Sequence, residues 1–233
     1  MGKRITSQAR GHGSLIYRVR KKAYKYRISY TSKGGSAKIL KLIHSPAHTS
    51  PLIKIQIDKI IFYNLAFQNA SEGQEIMVGK REEGIKEGDI VKLGDIGLGT
   101  RVYNIEASPG DGGRFVRAAG AAATVLKKEK GKVFLLMPSK KTINFNSQCR
   151  ATIGVIAGAG RLDKPILKAG RRFYAMKAKG RKWHRTSAIK VNAVDHPFGG
   201  GRGKRIKSKI AKRNAPPGRR VGHLRPRKTG KKK

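Results

Sequence analysis

Asp195 and His196 are of the types that an orienting acid and a general base require. Adjacent residues rarely present both side chains to one point, and no Ser or Cys nucleophile is sequence-linked to them. His196 therefore reads better as a hydrogen-bonding group than as a catalyst. His44 and His48 have a spacing seen among zinc ligands, but no Cys pair completes a tetrahedron, so no metal site is expected. Gly203-Lys204 looks like the end of a phosphate-binding loop, yet Phe198 holds the first glycine position and Arg205 stands where Ser or Thr is required. What surrounds His196 is backbone and charge. Pro197 fixes its own φ and extends the residue before it. Gly199, Gly200 and Gly201 then let the chain lie flush on a crowded surface such as a phosphodiester, with Arg202, Lys204 and Arg205 supplying charge. A flexible linker is the alternative reading of the same run.

The rest of the chain must position and feed this tip. Its 233 residues hold 54 Lys and Arg against 13 Asp and Glu, a formal net charge of +41. A compact body so charged repels itself, which implies a polyanion that neutralises it, nucleic acid first. No run of about 18 apolar residues marks a membrane span, and no apolar signal core follows Met1-Gly2-Lys3-Arg4. The lone cysteine, Cys149, can close no internal disulfide, which suits a reducing compartment.

Charge placement divides the chain. Met1 to Ile57 contains no acid, whereas Asp58 to Asp111 holds ten acids against six Lys and Arg and can fold on its own terms. Gly199 to Lys233 carries fifteen Lys and Arg in 35 residues, among them Arg213, Arg219, Arg220 and Arg225, and resists collapse until something anionic holds it. In the N-terminal part Arg10 precedes an arm in which Tyr17, Tyr24, Tyr26 and Tyr30 interleave with Arg18, Arg20, Lys21, Lys22 and Arg27. That arm offers stacking faces beside phosphate partners, or is an ordinary Tyr-rich surface strand.

Strands are expected at 39–43, 52–57, 75–78, 89–93 and 101–105, a density that suggests a small barrel. A second set at 123–126, 132–137, 142–145 and 150–156 suggests another, with Pro138-Ser139-Lys140-Lys141 as a hairpin turn. Between them lies Ser108 to Ala123, whose second half, Ala118 to Ala123, is nearly free of large side chains. Its small residues let either RNA or neighbouring backbone approach, while Arg114 and Arg117 point outward to phosphate. Leu167 to Gly180 reads as a short connector with helical character. Arg171, Arg172, Lys179, Arg181 and Lys182 crowd it and the residues just after it.

Several segments together carry a family resemblance. Ala107-Ser108-Pro109-Gly110-Asp111-Gly112-Gly113, Cys149 to Gly154, Ala175 to Trp183, Val191 to Gly201 and Arg213 to Gly222 resemble the universal large-subunit ribosomal protein two family, in its archaeal form. The likeness covers nearly the whole chain. It implies a mainly β fold, an oligonucleotide-binding-type barrel followed by an SH3-like barrel, with extended basic N- and C-terminal tails. The boundaries expected are 1–36 for the N-terminal extension, 37–103 and 104–185 for the barrels with a basic connector, and 186–233 for the glycine-rich loop and C-terminal extension. The resemblance also implies contact with large-subunit ribosomal RNA near the peptidyl-transferase centre, through Arg150, Trp183, Arg185, Asp195, His196 and the glycines among others. It implies other ribosomal proteins, the small subunit at a bridge face and, indirectly, transfer RNA as partners. No membrane and no cofactor are expected, magnesium entering only through the RNA, and the location is the ribosome in the cytoplasm. In place of the histidine-containing segment that tends to follow the triple glycine, this chain has Arg202-Gly203-Lys204-Arg205. A structural, RNA-binding role is the reading. An enzyme using His196 and a DNA-compacting protein are the rivals.

Overall fold

A computed structural model describes residues 2–79, 84–201, 210–211 and 214–224. They fall into two compact units, a body formed by Arg20–Ala175 and an end unit formed by Met1–Val19 with Met176–Lys233.

The body is mainly β. Its strands are β1 (Gly35–Ile43), β2 (Leu52–Ile57), β3 (Ile60–Leu65), β4 (Glu75–Val78), β5 (Ile90–Lys92), β6 (Arg101–Tyr103), β7 (Ala123–Glu129), β8 (Lys132–Leu136), β9 (Thr142–Asn146) and β10 (Arg150–Ile153). Among the described residues they hydrogen-bond in the order β3-β2-β1-β4-β5-β10-β6-β7-β8-β9. β2 shows why such segments become strands: Leu52, Ile55 and Ile57 are buried while Lys54 and Gln56 stay partly wet. β3 is a strand that the sequence reading passed over. It returns from β2 in register, Leu52 opposite Leu65 and Ile57 opposite Ile60, around a turn in which Asp58 takes φ 49°. The expected hairpin over 138–141 joins β8 to β9.

The two halves of the strand order carry separate cores, which do not divide at one point in the chain. Ile39, Leu52, Ile55, Phe67 and Ile76 share the first with Tyr103 and Ile156. Val91, Leu93 and Val102 join Val125, Leu135, Phe145 and Cys149 in the second. β10 makes this possible by pairing antiparallel with both β5 and β6.

Most buried polar groups at this junction satisfy one another, although Asn104 Oδ1 finds no partner among the described residues. The Tyr30 hydroxyl gives its one proton to the Asn104 carbonyl at 2.6 Å, so Thr152 Oγ1, 2.8 Å away, donates back to it. Asn64 Nδ2 donates to Thr152 Oγ1 at 3.0 Å, and Asn104 Nδ2 to Asn64 Oδ1 at 2.9 Å. Burial pushes the Tyr30 phenol far above its ordinary range, keeping it a donor. The glycine-rich block belongs to the same interior. Asp111 Oδ2 accepts from the Ala107 and Ser108 amides and its Oδ1 from the Gly113 amide, which pins the turn. Gly112 and Gly113 are buried, and a side chain on Gly113 would run into Asn104. These residues are small because the body's own backbone packs against them.

The end unit has almost no interior. Among its described residues only Ile5, Gly199 and Ala211 are buried. A one-and-a-half-turn helix, α1 (Thr6–Gly11), and a two-residue parallel pair, β11 (Ile210–Ala211) with β12 (His223–Leu224), are its regular elements. The helical connector appears as α2 (Ala169–Ala178), which buries no residue. No helix among the described residues is long and apolar enough to cross a membrane.

Candidate nucleic-acid interface

The tip around His196 is knit by backbone rather than by a core. The amides of Asp195 and His196 both donate to the Asn192 carbonyl, at 3.0 and 3.3 Å. The Gly199 amide donates to His196 at 2.8 Å and the Gly200 amide to Val191 at 3.2 Å, folding the loop back on its own start. Gly199 is required by contact, because a Cβ there would collide with the Val191 and Asn192 backbone. Gly200 and Gly201 are required by conformation, with φ +78° and +88°. The N-terminal arm closes the tip: the Lys3 amide donates to Val194 at 2.9 Å, and Lys3 Nζ lies 3.6 Å from Asp195 Oδ1. Asp195 is thus spent on Lys3 and does not orient His196.

The Phe198 amide donates to His196 Nδ1 at 3.0 Å, and the two rings sit 5.0 Å apart. A backbone N–H can only donate, so Nδ1 carries the lone pair and the neutral ring carries its proton on Nε2. His196 therefore offers a donor outward, the opposite of a base. It lines a cleft of about 390 Å³ with Lys3, Arg4, Lys182, His184, Arg185 and Asp195. Six of those seven side chains are cationic or can become so. A second cleft, of about 310 Å³, gathers Arg10, Tyr17, Arg181, Lys182 and Arg185. A third, of about 260 Å³, brings Arg219 beside Lys3, Arg4 and His196. Lys3, Arg4 and His184 were missed in the sequence; their charge was visible, but not the return of the arm to the tip.

The remaining expected contacts divide by placement. Arg18, Arg20, Lys21, Lys22, Arg27, Arg114, Arg171, Arg172 and Arg220 are exposed; Arg117, Lys179 and Trp183 are half-buried. Arg18 Nε donates to the Gly13 carbonyl, and the Trp183 ring stacks on His184 at 4.0 Å. Arg202, Lys204, Arg205, Arg213 and Arg225 lie outside the described residues. Arg150 departs from the expectation of a phosphate contact. Its Nη2 and Nε donate to Glu106 Oε1 at 2.9 and 3.2 Å, and its Nη1 to the Thr31 carbonyl. Glu106 is wholly buried and also accepts from the Arg150 and Gly112 amides. This pair locks the body.

No three His, Cys, Asp or Glu side chains gather as a metal site among the described residues. Near His44, the His48 Nδ1 meets Ser45 Oγ at 2.7 Å.

A mainly β body that pairs most of its buried polar groups, joined in sequence to extensions rich in cations and poor in core, has the make-up of a structural protein. The comparisons give that class a family. Residues 86–218 match the model for Ribosomal Proteins L2, C-terminal domain. The chain is 43% identical over 235 residues to the large ribosomal subunit protein uL2 of Archaeoglobus fulgidus, covering 99% of each. It is 41% identical to those of Methanospirillum hungatei, over 237 residues, and Methanocaldococcus jannaschii, over 243, covering 100% of each. The chain belongs to the uL2 family of ribosomal proteins, a family of structural proteins rather than enzymes.

Proposed function

We propose that this chain is built into the large ribosomal subunit, where its extensions and cationic clefts pack on ribosomal RNA near the peptidyl-transferase centre. There it supports transfer RNA placement, subunit association at a bridge face and peptide-bond formation, and leaves the chemistry to RNA. Neighbouring ribosomal proteins are further partners, magnesium comes only with the RNA, and the site of action is the ribosome in the cytoplasm. Family membership supports the setting, and the charge of +41 supports the partner. The observation that carries the non-catalytic part is the hydrogen bond from the Phe198 amide to His196 Nδ1, which leaves Nε2–H facing the cleft as a donor to phosphate or base oxygen.

Gly200→Val and His196→Gln separate the readings. Val at φ +78° is strained, and the Cβ it adds lies 3.2 Å from Ala193 Cβ, which must give way by a few tenths of an ångström. Gln keeps a donor and cannot act as a base near neutral pH. Reconstituted subunits should assemble poorly with Gly200→Val, and with His196→Gln should form peptide bonds at near-normal rates from a minimal donor and acceptor. A loss of about 100-fold in fully assembled His196→Gln subunits, the low end of general-base contributions, would overturn the reading.

A further inference from the structure

Arg117 is set into the body unlike Arg150, whose guanidinium has Glu106 as its partner. Arg117 is half-buried, its Nη1 donates to the Gly113 carbonyl at 3.2 Å, and no carboxylate among the described residues pairs with it. Burying an unpaired guanidinium is costly, and Arg114 close by adds like charge. Burial first, and Arg114 with it, push the Arg117 guanidinium below its usual range. The backbone that delivers it is itself held against preference: Val116, a β-branched residue, takes φ 52° and is fixed there by the Asn104 amide, which donates to its carbonyl at 2.9 Å. A cation placed at such expense and left without a counter-ion implies that the counter-ion arrives with a partner.

The Ala119 amide donates to Thr49 Oγ1 at 3.1 Å, which lays the segment of Arg117 beside that of His48 and brings two further side chains to the same surface. Tyr24 is half exposed, and its ring stands edge-on to His48 at 5.0 Å and 85°. Ser45 Oγ reaches both the Ala23 carbonyl, at 3.3 Å, and His48 Nδ1, at 2.7 Å. Both bonds form at once when Ser45 donates to the carbonyl and His48 Nδ1–H donates to Ser45. His48 Nε2 is then a lone pair with no partner among the described residues. This is the reverse of His196: one histidine presents a donor, the other an acceptor. Burial and the Arg117 charge hold the His48 ring towards its neutral form, so the lone pair persists.

We propose that Tyr24, His48 and Arg117 form a receptor for a single unstacked ribonucleotide. Arg117 takes its phosphate, the Tyr24 ring stacks on its base, and His48 Nε2 accepts a hydrogen bond from its base or ribose. Single-stranded nucleotides are recognised by this combination of guanidinium, aromatic face and edge-reading polar atom. The proposal rests on the chain being an RNA-binding subunit protein and adds a site in the body, where the sequence had placed Tyr24 only within a general stacking arm.

The test uses assembled large subunits carrying the wild-type chain, Arg117→Gln or Tyr24→Leu, irradiated with ultraviolet light and digested for mass spectrometry. The wild type should give a one-nucleotide adduct on Tyr24 or His48. Arg117→Gln should lower that yield about tenfold while adducts elsewhere in the chain persist, and Tyr24→Leu, at an exposed position, should raise the 2′-hydroxyl acylation of the same nucleotide severalfold. The melting temperature of the free Arg117→Gln protein, no lower than that of wild type, confirms an intact body. If Tyr24 and His48 give no adduct while the tip and extensions do, the receptor is overturned and the RNA reading stands. A chain without RNA adducts anywhere overturns both. A neighbouring protein's peptide at Tyr24, or an adduct yield indifferent to Arg117→Gln, also overturns the receptor.

Discussion

The body and the end unit solve the problem of polar groups in opposite ways. In the body, Glu106 collects four donors from Arg150 and Gly112, and Tyr30, Thr152, Asn64 and Asn104 close a buried chain of hydrogen bonds. In the end unit the ion pair among described residues, Lys3 with Asp195, is wet, its two side chains 74% and 40% exposed. Clefts there are lined by cations facing one another. A body built the first way needs nothing else to fold. A unit built the second way brings like charges together with little apolar burial to offset their repulsion, a repulsion that anions in the clefts would relieve.

The largest contrast should appear in stability. Glu106→Ala strips a half-buried guanidinium of its counter-charge and should cost about 3–5 kcal/mol in urea unfolding of the free protein. Asp195→Ala removes an exposed pair and should cost less than about 1 kcal/mol. Equal losses would erase the distinction between the units. Next comes affinity: binding of the full chain to ribosomal RNA should weaken with salt at a log–log slope of roughly −0.7 to −0.9 per phosphate neutralised. A chain lacking residues 1–19 and 176–233 should lose most of that slope. A slope unchanged by the truncation would move the phosphate contacts onto the body.

The smallest effect concerns His48. Its folded pKa lies below the ordinary value of 6.5, from burial and from Arg117. The unfolded chain therefore binds more protons as pH falls below about 6.5, and the body should lose stability in that direction. Tyr24, Ser45, Arg117 and, behind Arg117, Arg114 face it. A denaturation series from pH 7.5 to 5, a range chosen to bracket the ordinary histidine pKa, should show this slope reduced in His48→Gln.

Local pattern made much of this legible. Alternation in β2 and the turn residues between β8 and β9 marked strands where the structure has them. What escaped was set by non-local contact. β3 was hidden because Asp58-Lys59 lacks the Asn-Gly or Asp-Gly of a recognisable tight turn, although Asp58 adopts the conformation such a turn needs. The insertion of β10 between β5 and β6, and the pairing of Arg150 with Glu106, join residues far apart in sequence. α1 buries nothing, so no apolar period announced it. At the site, the glycines and His196 could be singled out from their types. That Phe198 would fix the ring's tautomer, or that Lys3 would claim Asp195, depends on a fold that types do not state.

On the proposed function, the body folds by itself and RNA completes the end unit. Amide hydrogen exchange of the free protein and of the assembled subunit tests it most directly. Amides of β2, β7, β8 and β10 should be protected in both states. Those of residues 2–19 and 176–201 should exchange almost freely in the isolated chain and slow by on the order of 100-fold or more in the subunit. Strong protection of residues 191–201 in the free protein, equal to that of β2, would contradict the account.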